Sequence, residues 1–584
     1  MTAKITTLAI RPGIQRDGTQ LAADVYVDGE WVRFQRGLPR KMGGCSGIFL
    51  NATGISRGMT MSSTNGFNYV ISGYSAGLEQ WVTDNDDGVG FGPTPYTFSS
   101  GFTSSTSNMW QFDIGYDSTG GNTNNLVAHA GQNLLTIDNT VNTRPLFGQF
   151  PNTTLDPVGV FTAAGTTNTT TIFTLSAAND RVGAGQTITG TGIPSATTVV
   201  SVVGTAVTMS AAATGSASIT ATFDNNISVS GGVVVLHPYL FVYGNNGLIQ
   251  NSTAGDFNNW VGSDANANNV STGKIVKGLP VRGGTTSPAG LFWSLDSLIR
   301  VSYIPSTVNG LNFYWRYDLV TSQTSIMSSQ CVIEYDGIFY WCGVDRFLMY
   351  NGVVQEIQNT MNQNYFFDNL NYAQRQKVWC TKIPRWGEIW WFYPKGDATE
   401  CTDAIIYNVR EKIWYDAGES PASRRSAGTF SEVFRYPIWG GNEDNTQGKY
   451  TLWKHESGQN EIYLTNVNAI KSTFETCNLG LVTGGPGNPQ MVGDNLWARI
   501  ERLEPDFVQN GAMDLYVTGK GYADDVDITT GPYTFDNTTL KIDMREQRRE
   551  LRLRFESNCQ NGDYQMGKVL MSIESGDVRG TGNP

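Results

Sequence analysis

The chain has 584 residues and a formal net charge of −12, from 40 basic and 52 acidic side chains. This mild acidic excess argues against tight nucleic-acid binding, which needs clustered Lys and Arg, but it is compatible with a channel through which DNA slides without sticking. Glycine is abundant at 66 residues, only 16% of the residues are charged, and helical patterning is scarce, so we expect a turn-rich all-β protein of several domains.

The seven cysteines are dispersed between residues 45 and 559, and no two of them form a CxxC pair. This spacing indicates neither a zinc site nor a disulfide framework, so we expect buried free thiols in a protein made in a reducing cytoplasm. The N-terminus lacks an apolar core of signal-peptide length, and no run approaches the length of a transmembrane helix. We therefore expect no membrane insertion by this chain.

Residues 1–50 form the first distinct region. The segment EWVRFQRGLPRKMGG concentrates the basic charge of this region in Arg33, Arg36, Arg40 and Lys41. Its pattern predicts an extended arm that leads into one strand, EWVRFQRG.

Residues 51–155 contain the first hairpin patterns, at 69–82 and 125–138, each with a strand, a tight turn and a second strand. Residues 156–228 change character, because no charged residue lies between Arg181 and Asp224 and Thr, Ser, Ala, Gly and Val dominate. Such low complexity is typical of disorder. The β-branched alternation in TTVVSVVGTAVTMS instead favours a small folded β-domain. We predict that this domain is inserted in a loop of the β-propeller that the repeats described next indicate.

Residues 229–465 carry the clearest repeats. Residues 377–418 predict a four-stranded meander of the size of a propeller blade, with strands KVWCTKI, EIWWFYP, DAIIYN and IWYDAG. Residues 330–357 predict another, with Asp-Gly and Asn-Gly pairs at its turns. Similar units recur along the chain at intervals of roughly 40–55 residues, which predicts a β-propeller of about six blades. A β-sandwich or several unrelated hairpins are the alternative.

Two further elements complete the predicted fold. Residues 355–377 are the best helical candidate and predict one or two short helices between blades. Residues 466–584 contain a Gly/Pro-rich loop around residues 482–490, followed by strands such as NLWARIERLEPDF, GAMDLYVTGKG and ELRLRFES. They predict a second all-β unit, a sandwich-like platform domain packed on the propeller.

Residues able to catalyse a reaction are not grouped in the sequence. His129, His237 and His455 lie in separate predicted blades, and none has a partner at metal-ligand or triad spacing. Glu400 and Asp403 could form a glycosidase pair, but with 52 acidic residues such pairs arise by chance.

Metal and sugar sites are not indicated either. The acidic run at residues 84–88 lacks the downstream Glu that completes a calcium loop. The aromatic residues between 386 and 415 could form a sugar platform, but in alternating strands half of them must face a core, so core packing is the better interpretation. We predict no catalytic, cofactor-binding or metal-binding residues.

Five blocks of the sequence resemble one family. They are RPGIQRDGT…GEWVRFQRGLPRKMGG at 11–44, GEIWWFYP…DAIIYNVREKIWYDAG at 387–418, LWKHESG at 452–458, IERLEPDFVQNGAMDLYVTGKGY at 500–522 and ELRLRFESN…GDYQMGKVLMSIESGDVRG at 550–580. In this order they resemble the tail nozzle proteins of short-tailed bacteriophages, also called tail tubular protein B or packaged-DNA stabilisation protein. The uncharged insert and the loop around 482–490 depart from the family pattern.

The resemblance implies a structural virion protein without catalysis or cofactors. Six copies would form a ring around a central channel that retains packaged DNA and lets it pass, without sequence-specific binding, at ejection. The ring would dock to an adaptor ring of the tail tubular protein A type and to tail fibres. It would be assembled in the bacterial host cytoplasm and would end in the phage tail of the virion.

Two hypotheses and two alternatives follow. The basic arm of Arg33, Arg36, Arg40 and Lys41 could dock on an acidic neighbour or on the adaptor, with a solvated strand as the other interpretation. Loops at one end of the propeller could gate the channel. The alternative functions are a receptor-binding tail protein, favoured by an exposed aromatic groove, and a propeller-type polysaccharide depolymerase, favoured by convergent acids in a pocket.

Overall fold

The computed structural model describes residues 4–19, 23–64, 67–83, 90–96, 104–117, 123–131, 161–179, 182, 186–224, 229–257, 263–282, 288–308, 311–430, 434–445, 448–479, 482–483, 490–491, 497–522 and 525–575. Strands dominate these residues, so the prediction of an all-β fold is confirmed. The helical structure in them comprises the α-helix α1 (Gln363–Asn369) and the 3-10 turns Asn245–Gly247, Tyr372–Lys377 and Pro421–Ser423. Helix α1 and the second of these turns lie in the segment where short helices are predicted. No helix in the described part of the chain is both long and apolar enough to cross a membrane.

The N-terminal region folds into short strands, and those of residues 25–41 carry buried side chains. They are β1 (Lys4–Thr7), β2 (Arg11–Ile14), β3 (Val25–Tyr26), β4 (Asp28–Glu30), β5 (Val32–Gln35), β6 (Leu38–Lys41) and β7 (Cys45–Ala52). β2 and β3 pair in parallel, and β5 and β6 form an antiparallel hairpin. β1, β4, β6 and β7 each also pair with a strand more than 370 residues later in the chain.

The predicted hairpin at 69–82 forms, within a four-stranded antiparallel meander. Its strands are β8 (Met59–Thr64), β9 (Phe67–Tyr74), β10 (Gly77–Thr83) and β11 (Gly90–Pro95), and a second hairpin follows as β12 (Gln111–Asp117) and β13 (Thr123–His129). The predicted hairpin at 125–138 lies only partly within the described residues, because residues 132–160 are outside them. The acidic run at 84–88 also lies outside them.

The uncharged segment forms a separate six-stranded sheet, in the order β16-β19-β14-β15-β18-β17. Its strands are β14 (Phe161–Thr167), β15 (Ile172–Leu175), β16 (Thr187–Thr189), β17 (Val199–Val203), β18 (Ala206–Met209) and β19 (Ala217–Asp224). The N–H of Ile188 donates to the Thr197 carbonyl at 2.9 Å, and the N–H of Val199 donates to the Gln186 carbonyl at 2.8 Å. These bonds join the two end strands, so the sheet closes around a core that includes Phe173.

Four consecutive four-stranded meanders follow. Their strands are β20 (Gly232–Leu236), β21 (Tyr239–Tyr243), β22 (Leu248–Asn251), β23 (Asn266–Asn269), β24 (Ile275–Val281), β25 (Ala289–Ser294), β26 (Leu298–Val308), β27 (Leu311–Thr321), β28 (Val332–Tyr335), β29 (Ile338–Cys342), β30 (Phe347–Tyr350), β31 (Val354–Glu356), β32 (Trp379–Ile383), β33 (Glu388–Tyr393), β34 (Asp403–Asn408) and β35 (Ile413–Asp416). The two meanders predicted at 330–357 and 377–418 are both present. Asp336 and Gly337 have φ of 51° and 79°, the positive values that a type I′ turn requires.

A six-stranded sheet then combines both parts of the chain, in the order β36-β37-β38-β7-β39-β40. The strands of this region are β36 (Arg425–Thr429), β37 (Ile438–Asp444), β38 (Tyr450–His455), β39 (Asn460–Tyr463), β40 (Asn466–Ala469), β41 (Ser472–Glu475), β42 (Val482–Thr483) and β43 (Gln490–Met491). N-terminal β7 lies between β38 and β39, so this sheet fastens the start of the chain to residues 450–463.

The sheets are arranged as a β-propeller. The first strands of successive sheets contact each other, β36 with β8, β8 with β12, β12 with β20, β20 with β24, β28 with β32 and β32 with β36. The sheets that begin with β24 and β28 are joined by Trp293 and Trp341, whose rings lie 5.7 Å apart. In the described residues the series contains six sheets of at least four strands and the β12–β13 hairpin. The number of blades, and the boundaries of the predicted domains, stay predictions.

The axis of this propeller is bridged by a glutamine side chain. Gln330 precedes β28, and its Nε2 donates to the carbonyl of Trp110 at 2.9 Å and to that of Arg57, which precede β12 and β8. Gln330 also accepts the Cys380 N–H of β32 through its own carbonyl at 2.9 Å. One residue therefore ties four sheets together across the centre of the ring.

Replacing Gln330 by leucine is expected to lower the free energy of unfolding by about 1–3 kcal/mol, since two hydrogen bonds to partly buried carbonyls are lost. Urea unfolding followed by tryptophan fluorescence measures the change. Gln323→Leu is the matched control because Gln323 is exposed. Equal midpoints for the two variants would contradict a bridging role for Gln330.

The C-terminal residues form the platform, but they do so together with the N-terminal strands. The new strands are β44 (Ala498–Glu504), β45 (Phe507–Asn510), β46 (Met513–Lys520), β47 (Ile528–Phe535), β48 (Ile542–Arg548), β49 (Glu550–Ser557), β50 (Asp563–Met566) and β51 (Leu570–Ser575). The three sheets run β1-β51-β44-β48, β4-β41-β49-β46-β47 and β45-β50-β6-β5. The prediction of an extended N-terminal arm is therefore wrong, because β1, β4, β5 and β6 are integral strands of the platform sheets.

One apolar core runs through the platform and the neighbouring propeller sheets. It contains Trp31, Trp390 and Trp439 from the junction and Phe474 and Phe555 from the platform. The aromatic residues of β33 and β35 are buried, as predicted from core packing. They are Trp390, Trp391, Phe392, Tyr393, Trp414 and Tyr415, with at most 2% of each residue exposed.

Candidate functional site

Three hairpin turns meet where the platform touches the propeller. The β5–β6 turn contains Arg36 and Gly37, whose backbone N–H groups donate to the Glu411 carboxylate of the β34–β35 turn at 2.8 and 3.2 Å. Arg410 of the same turn donates to the carbonyls of Arg385 and Pro384 in the β32–β33 turn at 3.0 and 2.6 Å. Hydrogen bonds between turns hold all three in one arrangement, so the side chains that they present are fixed relative to each other.

Trp386 is the centre of the basic groups at this junction. The guanidinium carbons of Arg33, Arg40 and Arg385 lie 4.7, 4.9 and 4.9 Å from the centre of its ring. Its indole N–H donates to Glu456 Oε2 at 2.8 Å. Cation–π attraction holds three guanidinium groups around one ring, and among them Arg33 is also paired with carboxylates.

Beneath Trp386 lies a buried ion cluster. Arg33 donates to both oxygens of Glu456 at 2.7 Å, and its Nε lies 2.9 Å from Glu388 Oε1. Glu388 also accepts from the hydroxyl of Tyr415 at 2.7 Å and the indole of Trp390 at 2.9 Å. The cluster links an N-terminal strand to β33 and to the residue after β38, so it fastens the platform to two propeller sheets.

Burial opposes ionisation of both carboxylates of this cluster, but their pKa values shift in opposite directions. It raises the pKa of Glu388, and the attraction of Arg33 only partly offsets it. For Glu456, burial also opposes ionisation, but Arg33 and the hydrogen bonds from Arg33 and Trp386 outweigh it and lower the pKa. Arg33 therefore has two different partners: Glu456 favours its ionised form, whereas burial disfavours the ionised form of Glu388.

Two cavities of about 220 and 310 Å³ adjoin at this junction and share Arg385, Tyr436 and Glu456 as lining residues. We call their combined surface the arginine groove, lined by Arg40, Arg385, Trp386, Arg435, Tyr436 and Glu456. Arg435 stacks on the Tyr436 ring at 5.1 Å. Ile383, Phe430 and Pro437 add apolar wall to the larger cavity. Cationic and apolar walls together suit a ligand that carries both carboxylates and aliphatic groups.

The predicted basic arm is divided by the structure. Arg33 and Lys41 are only 1% and 2% exposed. Lys41 donates to the Gly562 carbonyl at 2.8 Å, and burial lowers its pKa to about 8. The prediction that these two residues dock on a partner is wrong, since their side chains are buried and bound inside the chain. Arg36 is exposed and Arg40 is half-buried, so docking through these two stays a prediction.

Sequence reasoning did not find Arg385, Arg435 or Glu456. Arg385 and Trp386 lie between the predicted strands KVWCTKI and EIWWFYP, and the neighbours of this turn come from strands far away in the chain. The available local signal was an Arg-Trp pair at a turn tip, where a large aromatic side chain is not needed for turn formation.

The three histidines lie in different sheets. His129 ends β13 and His455 ends β38, both buried, and His237 lies in the exposed turn between β20 and β21. Burial lowers the pKa of His129 to about 4 and also lowers that of His455. Among the described residues no group of His, Cys, Asp and Glu is arranged to hold a metal ion.

The buried His129 predicts a pH dependence of stability. Its folded pKa of about 4 lies below the ordinary value of 6.5, so its contribution to stability is complete above about pH 6.5 and is lost as the pH falls toward 4. The free-energy gap between the natural protein and His129→Asn is expected to narrow by about 2 kcal/mol from pH 7 to pH 5. Urea unfolding at both pH values measures it, and a gap independent of pH would contradict a neutral buried His129.

Glu400 and Asp403 do not form an open carboxylate pair. Glu400 is bound by Arg57 at 2.6 Å and by Lys377 at 2.8 Å. Burial raises its pKa, but these two cations outweigh burial, so the pKa of Glu400 is lowered overall. Asp403 is fully buried, and burial and the nearby Asp416 raise its pKa. A glycosidase needs both carboxylates at one substrate bond, so this pair does not provide that arrangement.

A second, more polar cavity of about 760 Å³ lies on the platform. Glu501 and Asp543 line it together with Arg502, Arg545 and Tyr533. Both carboxylates already have cationic neighbours, since Glu501 lies 3.2 Å from Arg499 and Asp543 lies 2.7 Å from Lys541. Two acids in one open cavity make this the place to test the depolymerase alternative.

Comparison with known proteins leaves the family open. No family model matches the chain, and no curated protein matches it. Among solved structures, the phage phi92 endosialidase is 12% identical with a TM-score of 0.26 over 71% of this chain and 68% of its own. The computationally designed Ika8 protein is 10% identical with a TM-score of 0.29, over 70% and 99% of the two chains. An exo-β-1,3-galactanase from Phanerochaete chrysosporium is 9% identical with a TM-score of 0.21, over 58% and 94%. No functional argument rests on similarity this low.

Proposed function

We propose that this chain is a structural protein of a short bacteriophage tail. In this proposal six copies form the nozzle ring, whose central channel retains packaged DNA and lets it pass during ejection. The ring docks to an adaptor ring and to tail fibres, and it is assembled in the host cytoplasm before it becomes part of the virion. The chain has no catalytic role in this proposal.

The observation that carries the proposal is how the five resembling blocks lie in space. Block 11–44 supplies Arg33 and Trp31, block 387–418 supplies Glu388 and Trp390, and block 452–458 supplies Glu456. These residues form the ion cluster and the aromatic packing of the junction. Blocks 500–522 and 550–580 supply the platform strands that pair with each other and, through β50 and β51, with N-terminal strands. Separate resemblances to one family thus meet in one interlocked unit.

Two properties of the chain suit a DNA channel that lies between copies. The axis of the single propeller is bridged by Gln330, so a duplex has no path through it at that end. The chain carries an excess of acidic groups, which repels phosphate and lets DNA slide. A channel enclosed by several acidic copies would guide DNA without holding it.

The platform also exposes apolar side chains that an assembly would cover. Val508, Val526, Ile528 and Leu540 are 57–88% exposed. Large apolar groups at this exposure are a feature of interaction surfaces when they cluster. By contrast, the burial of the aromatic residues of β33 and β35 gives no support to a receptor-binding aromatic groove.

Cryo-electron microscopy of the purified chain, alone and mixed with its adaptor ring, tests the proposal. A six-fold ring with an axial channel that joins the adaptor is the expected result. A monomer or trimer that has no channel and does not join the adaptor would overturn it. Release of reducing sugar from host capsule, abolished by Glu501→Gln with Asp543→Asn, would establish the depolymerase instead.

A further inference from the structure

The arginine groove holds positive charge that its own chain does not neutralise by contact. In the described part of the chain, Arg385 and Arg435 are exposed and each rests on an aromatic ring rather than on a carboxylate. Glu456 is already bound by Arg33 and Trp386, and Arg385 is near enough to help lower its pKa, although no ion pair joins these two residues in the described part of the chain. Two guanidinium groups, held in place by ring stacking, therefore face the opening and are free to bind carboxylates.

A segment of the platform has the complementary chemistry. Residues 525–528 read Asp-Val-Asp-Ile and lead into β47, the edge strand of its sheet. Val526 and Ile528 are 78% and 57% exposed, and both aspartates are exposed. Asp527 accepts a hydrogen bond from Arg552 at 2.6 Å and lies 3.9 Å from Lys520, whereas the Asp525 side chain accepts from the adjacent Val526 N–H at 2.8 Å. Acidic and aliphatic side chains alternate, as an extended ligand for a cationic and apolar groove requires.

The groove and the segment are both exposed within one chain, so each is open to another copy. A closed ring uses heterologous contacts, in which one surface of a copy meets a different surface of the next. We propose that the arginine groove of one copy binds residues 525–528 of a second copy, with Arg385 and Arg435 facing the aspartates. Ile383, Phe430 and Pro437 receive the aliphatic side chains. This inference rests on the proposed ring for its geometry, but its binding step does not require the ring.

The small volume of the arginine groove favours residues 525–528 over nucleic acid as its occupant. The cavities of about 220 and 310 Å³ hold a few side chains. A DNA duplex cannot enter such a space and would touch only its rim, where contacts with phosphate would be independent of Trp386 and the apolar wall.

A binding experiment tests the groove directly. The probe is a fluorescent peptide of residues 521–530, and the receptor is the full chain carrying Asp525→Arg, so that its own segment does not compete. Anisotropy is expected to show saturable binding that weakens with added salt. Arg385→Glu together with Arg435→Glu should weaken it by about tenfold or more. Arg316→Glu together with Arg346→Glu, two exposed arginines outside the groove, is the charge-matched control and should leave binding unchanged.

The outcomes separate this inference from the proposed function. Binding that is absent, or equal for the groove variants and the control, overturns the inference even if six-fold rings are seen. If the peptide binds and the double groove variant weakens this binding as expected, the inference is supported even if the natural chain is a monomer. In that case only the proposal of a ring fails. A peptide in which Asp525 and Asp527 are both changed to asparagine should bind the unchanged groove about as weakly as the natural peptide binds the groove variants. If this peptide bound the groove as tightly as the natural peptide does, the inference would also be overturned.

Discussion

Replacing Arg33 by methionine is expected to lower the free energy of unfolding by about 3–5 kcal/mol, although the change preserves most of the side-chain volume. Arg33 is 1% exposed and lies within ion-pair distance of Glu388 and Glu456. Its removal would leave two carboxylates in the core without their cation, and Glu388, whose pKa is already raised by burial, would have to take up a proton or rearrange.

Urea unfolding followed by tryptophan fluorescence measures this loss, and Arg346→Met is the matched control. Arg346 is half-exposed and pairs with Asp345 and Glu356 at 3.3 and 3.7 Å, so its replacement should cost at most about 1 kcal/mol. Similar losses for the two variants would mean that the charge of Arg33 reaches solvent, contrary to its burial. The same comparison decides whether Arg33 is a structural residue or part of a docking surface.

Replacing Trp390 by alanine is expected to cost about 3–5 kcal/mol and to loosen the platform from the propeller. Trp390 is fully buried, with its ring 6.0 Å from Trp31 and 5.5 Å from Trp439. Its indole also donates to Glu388, so the variant leaves a cavity next to a carboxylate that has lost a hydrogen bond. The junction should therefore lose packing and polar satisfaction together.

Hydrogen exchange resolved by peptide measures where the Trp390→Ala variant loosens. Faster exchange is expected in β5, β33 and β38, the strands next to the junction. Trp293→Ala is the control, because Trp293 is equally buried but packs against Trp341 away from the junction, so it should leave exchange in β5 unchanged. If exchange in β5 were unchanged by Trp390→Ala, the aromatic contacts would not be what holds the platform to the propeller.

The elements with strong local patterns could be predicted from the sequence. DAIIYN is strand β34 from its first residue to its last, and Asp336 and Gly337 form the turn that their positive φ values favour. Alternation with a period of two and the chemistry of turn residues act over a few neighbouring residues, so they are readable without the fold. The charge-free sequence of residues 182–223 likewise predicted strands through its β-branched residues, although it could not show that the sheet closes on itself.

The tertiary structure alone decided the partners of those elements. Arg33 was predicted to be part of an extended arm that docks on a partner, yet it is buried beside two carboxylates that lie 355 and 423 residues later in the chain. The arginine groove likewise combines Arg40, Arg385 and Arg435 from three separate parts of the sequence. Local sequence sets where a strand can form and which of its faces is apolar. Whether a charged side chain is buried or presented depends on which distant strands pair beside it, because only a partner of opposite charge offsets the cost of removing it from water.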